Sequence, residues 1–173
     1  MEKTSSTVDP FRFTGRTIGA IISEAIESGN SVSSVPWKPL DKPLKEARVA
    51  LLTTSGVSMK NDEPFDMEGE KKRPTWGDPT WRAVKLGAVA DDVEINHLHI
   101  DTSYAKRDLN VALPMDRLKE LVSKGEVGGA ADTHYSIMGF QGNDPLRVVR
   151  ESAEPIYEQL RDERVDILAL APV

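Results

Sequence analysis

RVALLTTSGV, residues 48–57, is a short apolar run without alternation that empties into hydroxylated residues and a glycine. A strand buried on both faces reads this way, because an open α/β sheet carries helices on both sides of it. Thr53-Thr54-Ser55-Gly56-Val57 then falls at the carboxyl end of that strand, where such sheets place their ligand loops. A simple turn fits the spacing equally well, since neither a G-x-G-x-x-G nor a Walker pattern accompanies the run.

A second run of the same kind, Val165–Leu170 (VDILAL), closes the chain and reads as another buried strand. Between the two lies the stretch 96–142, which holds all three histidines, His97, His99 and His134. Glu94–Ile100 (EINHLHI) alternates, and a strand there puts His97, His99 and Asp101 on one face. Two histidines and a carboxylate so placed form a facial metal triad or a hydrogen-bonded pair in a polar cleft. Ala112–Lys124 predicts a helix, with Pro114 in its first turn, Leu118, Leu121 and Val122 as the apolar stripe and Gly125 as the stop. Thr133–Phe140 (THYSIMGF) predicts a strand with His134 and Ser136 on one face. Pro145–Arg161 predicts a helix built on Leu146, Val149, Ala153, Ile156 and Leu160.

Upstream, residues 1–16 are polar, and Thr17–Ser28 carries Ile18, Ile21, Ile22, Ala25 and Ile26 at helical spacing before Gly29-Asn30. Residues 31–45 hold three prolines and no period, as an extended connector does. Residues 58–92 form a long irregular polar stretch, and loops beyond about 15 residues in a compact domain are functional or disordered. Within it Arg82 suits two-point binding of a carboxylate, or a surface ion pair. The order of elements predicts an α/β fold, an open and mainly parallel sheet with flanking helices. The chain divides into an N-terminal tail and amphipathic helix over 1–34, and an α/β domain over 35–173. No helix follows the last predicted strand, so the C-terminal part of the fold is expected to be missing.

Composition narrows the function classes. At 173 residues, 39% hydrophobic and 29% charged, the chain fits one globular domain. A formal net charge of −6 without basic clusters argues against nucleic acid and anionic membrane as partners. There is no cysteine, which removes disulfides, thiolate metal sites and cysteine catalysis from these residues. The N-terminus has no apolar signal region, and no apolar run approaches the roughly 20 residues of a membrane helix. A cytoplasmic protein fits these facts.

Several segments in order are similar to the selenoprotein B family of the glycine, sarcosine, betaine and D-proline reductases. They are PWKPLDKPL (36–44), ARVALLTTSGV (47–57), GDPTWR (77–82), NHLHIDTSYAKRDLNVALPMDRLKELV (96–122), DTHYSIMGFQG (132–142) and VDILALAPV (165–173). The short architecture resembles the D-proline reductase subunit more than the longer glycine reductase one. The resemblance implies a selenocysteine-dependent reductase that cleaves the α-carbon–nitrogen bond of an amino acid or amine. It also implies that the strand matching VDILALAP runs into a selenocysteine or cysteine immediately after Val173. A UGA codon read as stop, a frameshift or a designed end would each give the chain as it stands, inactive alone and poorly soluble. The implied partners are a subunit bearing a carbonyl (pyruvoyl-type) group, a thioredoxin-like or dithiol electron donor, and a small amino-acid or amine substrate, within an oligomer.

No nucleophile is then present, and the remaining residues wall its pocket. His97, His99 and His134 are the candidate catalytic residues, one of them protonating the leaving nitrogen. Thr54, Ser55, Gly56, Lys60, Arg82, Asp101 and Tyr135 are the candidate substrate contacts, with Arg82 or Lys60 on a carboxylate. No metal is expected. The competing readings are a non-catalytic binding subunit, a selenol oxidoreductase acting on another electrophile, and a metalloenzyme using His97, His99 and Asp101.

Overall fold

A computed structural model describes residues 38–173 apart from Pro74, Thr75, His99, Gly142, Asn143 and Pro145. The helix predicted over Thr17–Ser28, and His99, lie outside the described residues. The chain divides after Pro39, and every element among the described residues belongs to the unit from Leu40 onward.

Strand β1, Arg48–Thr53, is the centre of the sheet, and its last five residues are buried. Along one edge run β5 (Gly129–Ala130) and β6 (Thr133–Ile137), both parallel to it; along the other runs β7 (Ile167–Ala171), also parallel. Beyond β6 lies β3 (Trp81–Lys85), antiparallel, giving the order β3-β6-β1-β7 with β5 in line before β6. A separate antiparallel ribbon pairs β2 (Val57–Met59) with β4 (Val93–Ile95). The mainly parallel α/β architecture expected from the sequence is therefore present.

Alternation along β1 explains its continuous apolar run. Val49 and Leu51 point into a core with Leu113, Met115, Leu118 and Val127, under helix α3 (Met115–Ser123). Ala50 and Leu52 point the other way, into a core with Tyr135 and Ile156, under helix α5 (Glu154–Asp162). Both faces are thus apolar because both are covered.

The β1 edge facing β5 and β6 has a step in it. Arg48 and Val49 pair with Gly129 and Ala130, but Leu52 and Thr53 pair with Tyr135 and Ser136, so the register slips by two residues. At the step the Leu51 N–H donates to the imidazole Nδ1 of His134, 3.1 Å away. A buried donor needs a partner, and here a side chain replaces the strand carbonyl.

Several expectations change. The strand predicted over Glu94–Ile100 stops at Ile95, because its partner β2 begins only at Val57 and Asn96 already bonds the turn before it; no strand face gathers His97 with Asp101. The irregular stretch 58–92 contains β2, a short helix α1 (Met67–Lys72) and β3. As an edge strand carrying Arg82 and Lys85, β3 lacks the apolar run that marks a central one. The last helix is α4 (Leu146–Val148), a π-helical turn over Val149–Ala153, then α5. The wider turn breaks the predicted stripe: Leu146 and Val149 face solvent, while Ser152 turns inward and donates to the Pro79 carbonyl at 2.6 Å. Finally, β7 is half-buried, with Leu170 69% exposed, because among the described residues it pairs with β1 alone.

α3 begins three residues later than predicted, after a 3-10 turn over Leu109–Val111. Gly125, with φ +72°, follows its end. Among the described residues no helix is long and apolar enough to cross a membrane.

Candidate active site at the carboxyl end of the parallel strands

The carboxyl ends of β1, β6 and β7 meet at one rim of the sheet. β1 and β7 stay paired up to Thr53 and Ala171; Pro172 has no N–H to continue the ladder. The Thr54 hydroxyl takes over: Oγ1 accepts the Val173 N–H at 2.9 Å and donates to the Val173 carbonyl at 3.3 Å. The end of β7 is thereby held against the turn that leaves β1.

That turn is fixed from inside. The Thr53 and Ser55 hydroxyls are 2.8 Å apart, the Ser55 N–H donates to Thr53 Oγ1, and both side chains are fully buried. Gly56 has φ +65°, and a Cβ there would lie 2.2 Å from the Asn96 carbonyl oxygen and 2.7 Å from the Met138 sulfur, so only glycine fits. Its own carbonyl accepts both the Asn96 N–H (2.8 Å) and the Asn96 Nδ2 (3.1 Å), and Nδ2 also donates to Ser58 Oγ. From β6, the Ser136 hydroxyl accepts the Val57 N–H at 2.7 Å. Ser55 forms a bridge with Met138, and a Cβ on Gly139 would meet the Thr54 carbonyl oxygen at 3.2 Å.

His97 follows Asn96 directly and is half-buried, so the Asn96 anchor brings it to the rim. His134 is elsewhere. It is fully buried within β6, and burial lowers its pKa to about 4, against the opposing pull of Glu163. With Nδ1 accepting the Leu51 N–H, the ring proton sits on Nε2, which has no hydrogen-bond partner. Tyr135 points to the other face of the sheet, its ring 5.8 Å from that of Trp81, and burial pushes its hydroxyl up to about 12.

The predicted carboxylate binders are dispersed. Arg82 turns its guanidinium inward, donating to the carbonyls of Glu63, Pro64 and Trp81 and to Thr80 Oγ1, with Phe65 stacked at 4.5 Å. It holds residues 63–65 against β3. Lys60 is exposed at the far end of β2, in a groove with Asp91, Glu94, Asn96 and Lys106. Asp101 accepts the Ser103 N–H at 2.9 Å at the entry to helix α2 (Ser103–Arg107); that bond holds its carboxyl below the usual range. The rim thus gathers Thr54, Ser55, Gly56 and His97, with His134 and Tyr135 embedded in the sheet behind it. Among the described residues no group of three or more histidine or acidic side chains could hold a metal.

Sequence reasoning missed Asn96 and Gln141. The strand predicted over Glu94–Ile100 hid Asn96 inside it, although an asparagine commonly bonds nearby backbone; that was the available signal. Gln141 lies three residues past Met138 and folds back onto its carbonyl at 2.6 Å, a contact no spacing announces.

The model of the glycine/sarcosine/betaine reductase selenoprotein B family matches residues 28–172. The chain is 31% identical over 134 residues to D-proline reductase subunit gamma of Acetoanaerobium sticklandii, covering 78% of this chain and 52% of the relative. It is 31% identical over 106 residues to glycine reductase complex component B subunit gamma of Carboxydothermus hydrogenoformans, covering 61% of this chain and 23% of that one. The subunit of the same name from Symbiobacterium thermophilum is 28% identical over 145 residues, covering 81% of this chain and 32% of the relative. The chain therefore spans about half the length of the first of these relatives and less of the other two. No solved structure matches it.

Proposed function

Because the chain belongs to the glycine/sarcosine/betaine reductase selenoprotein B family, we propose that it forms the scaffold of a reductase subunit whose chemistry takes place at the carboxyl rim of β1, β6 and β7. The reaction is reductive cleavage of the α-carbon–nitrogen bond of an amino acid or amine. Two electrons and two protons replace that bond with a C–H and an N–H bond, and the nitrogen departs from the α-carbon as an amine, free from an acyclic substrate and still tethered after ring opening of a cyclic one. A selenolate or thiolate from outside these residues, expected just after Val173, supplies the nucleophile. A partner subunit supplies the activating carbonyl, and a thioredoxin-like or other dithiol is oxidised to a disulfide to provide the electrons.

The chain's own residues bind, orient and move protons. The observation that carries this reading is the Thr54 hydroxyl bonded to both the N–H and the carbonyl of Val173. It holds the end of β7 at the point where open α/β sheets bind ligands. Gly56 and Gly139 keep the backbones close there, and His97 gives the leaving nitrogen its proton. His134 keeps β1 and β6 in their stepped register and stays neutral, and Arg82 shapes the wall at residues 63–65. Lys60 is the exposed cation for a carboxylate of substrate or partner. A cytoplasmic, oligomeric complex belongs to the same proposal.

The test is amine formation by the assembled reductase with a dithiol as reductant, read as a released amine for acyclic substrates and as the ring-opened primary amine for a cyclic one. Thr54→Val keeps the side-chain volume and removes both bonds to Val173. Its kcat is expected to fall by about 10²-fold, the cost of misplacing a reacting group by an ångström, with an unchanged circular dichroism spectrum. A Thr54→Val enzyme with wild-type kcat would contradict the proposal.

A further inference from the structure

Helix α4, the π-helical turn and helix α5 carry an apolar stripe that faces outward. Leu146, Val149 and Tyr157 are 62%, 55% and 62% exposed, and Ala153 between them is exposed as well. A regular α-helix would turn Leu146, Val149 and Ala153 to the side of Ile156 and Leu160, which pack on the sheet with Leu52 and Tyr135. The π-helical turn over Val149–Ala153 prevents this, because each of its turns holds an extra residue. Ser152 goes to the core instead. Leu146, Val149, Ala153 and Tyr157 are left in line on the solvent side. Contiguous exposed apolar surface of this kind marks a contact with another macromolecule.

The charges beside the stripe decide its occupant. Arg150 and Glu154 are both exposed, and side chains four apart lie along one side of a helix. Two copies of this helix laid antiparallel, about a two-fold axis between Val149 and Ala153, set Leu146 on the partner's Tyr157 and Val149 on the partner's Ala153. The same operation sets Arg150 beside the partner's Glu154, and does so twice. Laid parallel, each of these charges would meet its like. Arg150 already bonds Asp144 at 2.6 Å, but both side chains of that pair are open to solvent. Such a pair is worth no more than about 1 kcal/mol, and the guanidinium keeps further donors to share. An anionic lipid surface fits poorly, since Glu154 and Glu158 border the stripe and the chain carries a net charge of −6.

We propose that the outer face of α4 and α5 is a homodimer contact. Two copies of this chain pair antiparallel there through Leu146, Val149, Ala153 and Tyr157, with reciprocal Arg150–Glu154 ion pairs on the flank. None of these residues belongs to the carboxyl rim, so the contact stands or falls separately from the proposed reaction.

The chain has no cysteine, so introduced thiols report the contact directly. Leu146→Cys and Tyr157→Cys chains, one of them ¹⁵N-labelled, are mixed and oxidised with diamide. The disulfide-linked dimers are then weighed by mass spectrometry, with circular dichroism checking the fold of each variant. The expected product is the mixed dimer linking position 146 to position 157, severalfold above both self-linked dimers. Arg150→Glu in both chains is expected to cut its yield about tenfold, as two exposed ion pairs turn repulsive. Adding Glu154→Arg to both chains is expected to restore the yield, because the charges are then exchanged. Absence of linked dimers, a statistical mixture, an excess of self-linked dimers, or a mixed dimer indifferent to Arg150→Glu would each overturn the proposal.

Discussion

The imidazole of His134 fills a gap in the sheet and must be neutral to do so, since a protonated ring has no acceptor for the Leu51 N–H. Its folded pKa is about 4, against 6.5 for the free side chain. The unfolded state therefore binds the extra proton first, and stability falls as pH drops from about 6.5 toward 4. Between pH 7 and 4.5 the loss is expected to reach roughly 2–3 kcal/mol in urea unfolding. His134→Gln, which keeps an amide acceptor without titrating, should flatten that window; a wild-type curve already flat there would refute the assignment. Glycines separate in the same way. Gly56→Ala meets both a positive φ and the Asn96 carbonyl, and should cost about 2–4 kcal/mol. Gly125→Ala has a positive φ but open space around it, and should cost about 1 kcal/mol. Equal losses at the two sites would show that the Asn96 contact does not constrain the turn.

Among the elements, those with an apolar signature were legible. β1 spans the residues its apolar run predicted, and α3 and β6 lie within their predicted ranges. What stayed hidden depends on partners distant in sequence. β3 is a polar edge strand recognisable only by its pairing with β6. The H-x-H alternation failed because strand length is set by the neighbouring strand, and β2 is three residues long. Of the candidate site, the turn after β1 was legible as a strand end followed by small residues. The roles of His134 and Arg82 were not, since a polar side chain's type does not reveal whether it faces a pocket or a backbone gap. The π-helical turn was equally invisible, because one extra residue re-aims a helix without changing its composition. Ser152 is its signature: Ser152→Ala removes the buried bond to the Pro79 carbonyl and should destabilise by about 1–2 kcal/mol. A neutral effect in thermal unfolding would mean that the turn is not anchored through Ser152.

At the scale of the whole molecule, one side of the sheet is less protected than the rest. β7 presents Leu170 at 69% exposure, and an apolar groove lined by Leu44, Leu121, Ile167 and Ala169 runs between α3 and β7. Exposed apolar strand edges promote pairing between chains. The chain is expected to self-associate with rising concentration in sedimentation velocity, and Leu170→Lys is expected to suppress this without changing the circular dichroism spectrum. A monodisperse wild-type monomer across the concentration range would contradict that expectation. The functional proposal rests instead on the rim where three strands end, and on a small amine-bearing substrate binding there. The direct measurement is an ¹⁵N-resolved NMR titration of the chain with D-proline and glycine. Shifts clustered at Thr54, Gly56, His97, Gly139 and Val173 are the predicted result. Shifts confined to the apolar groove of Leu44, Leu121, Ile167 and Ala169 would place binding elsewhere and contradict the proposed site.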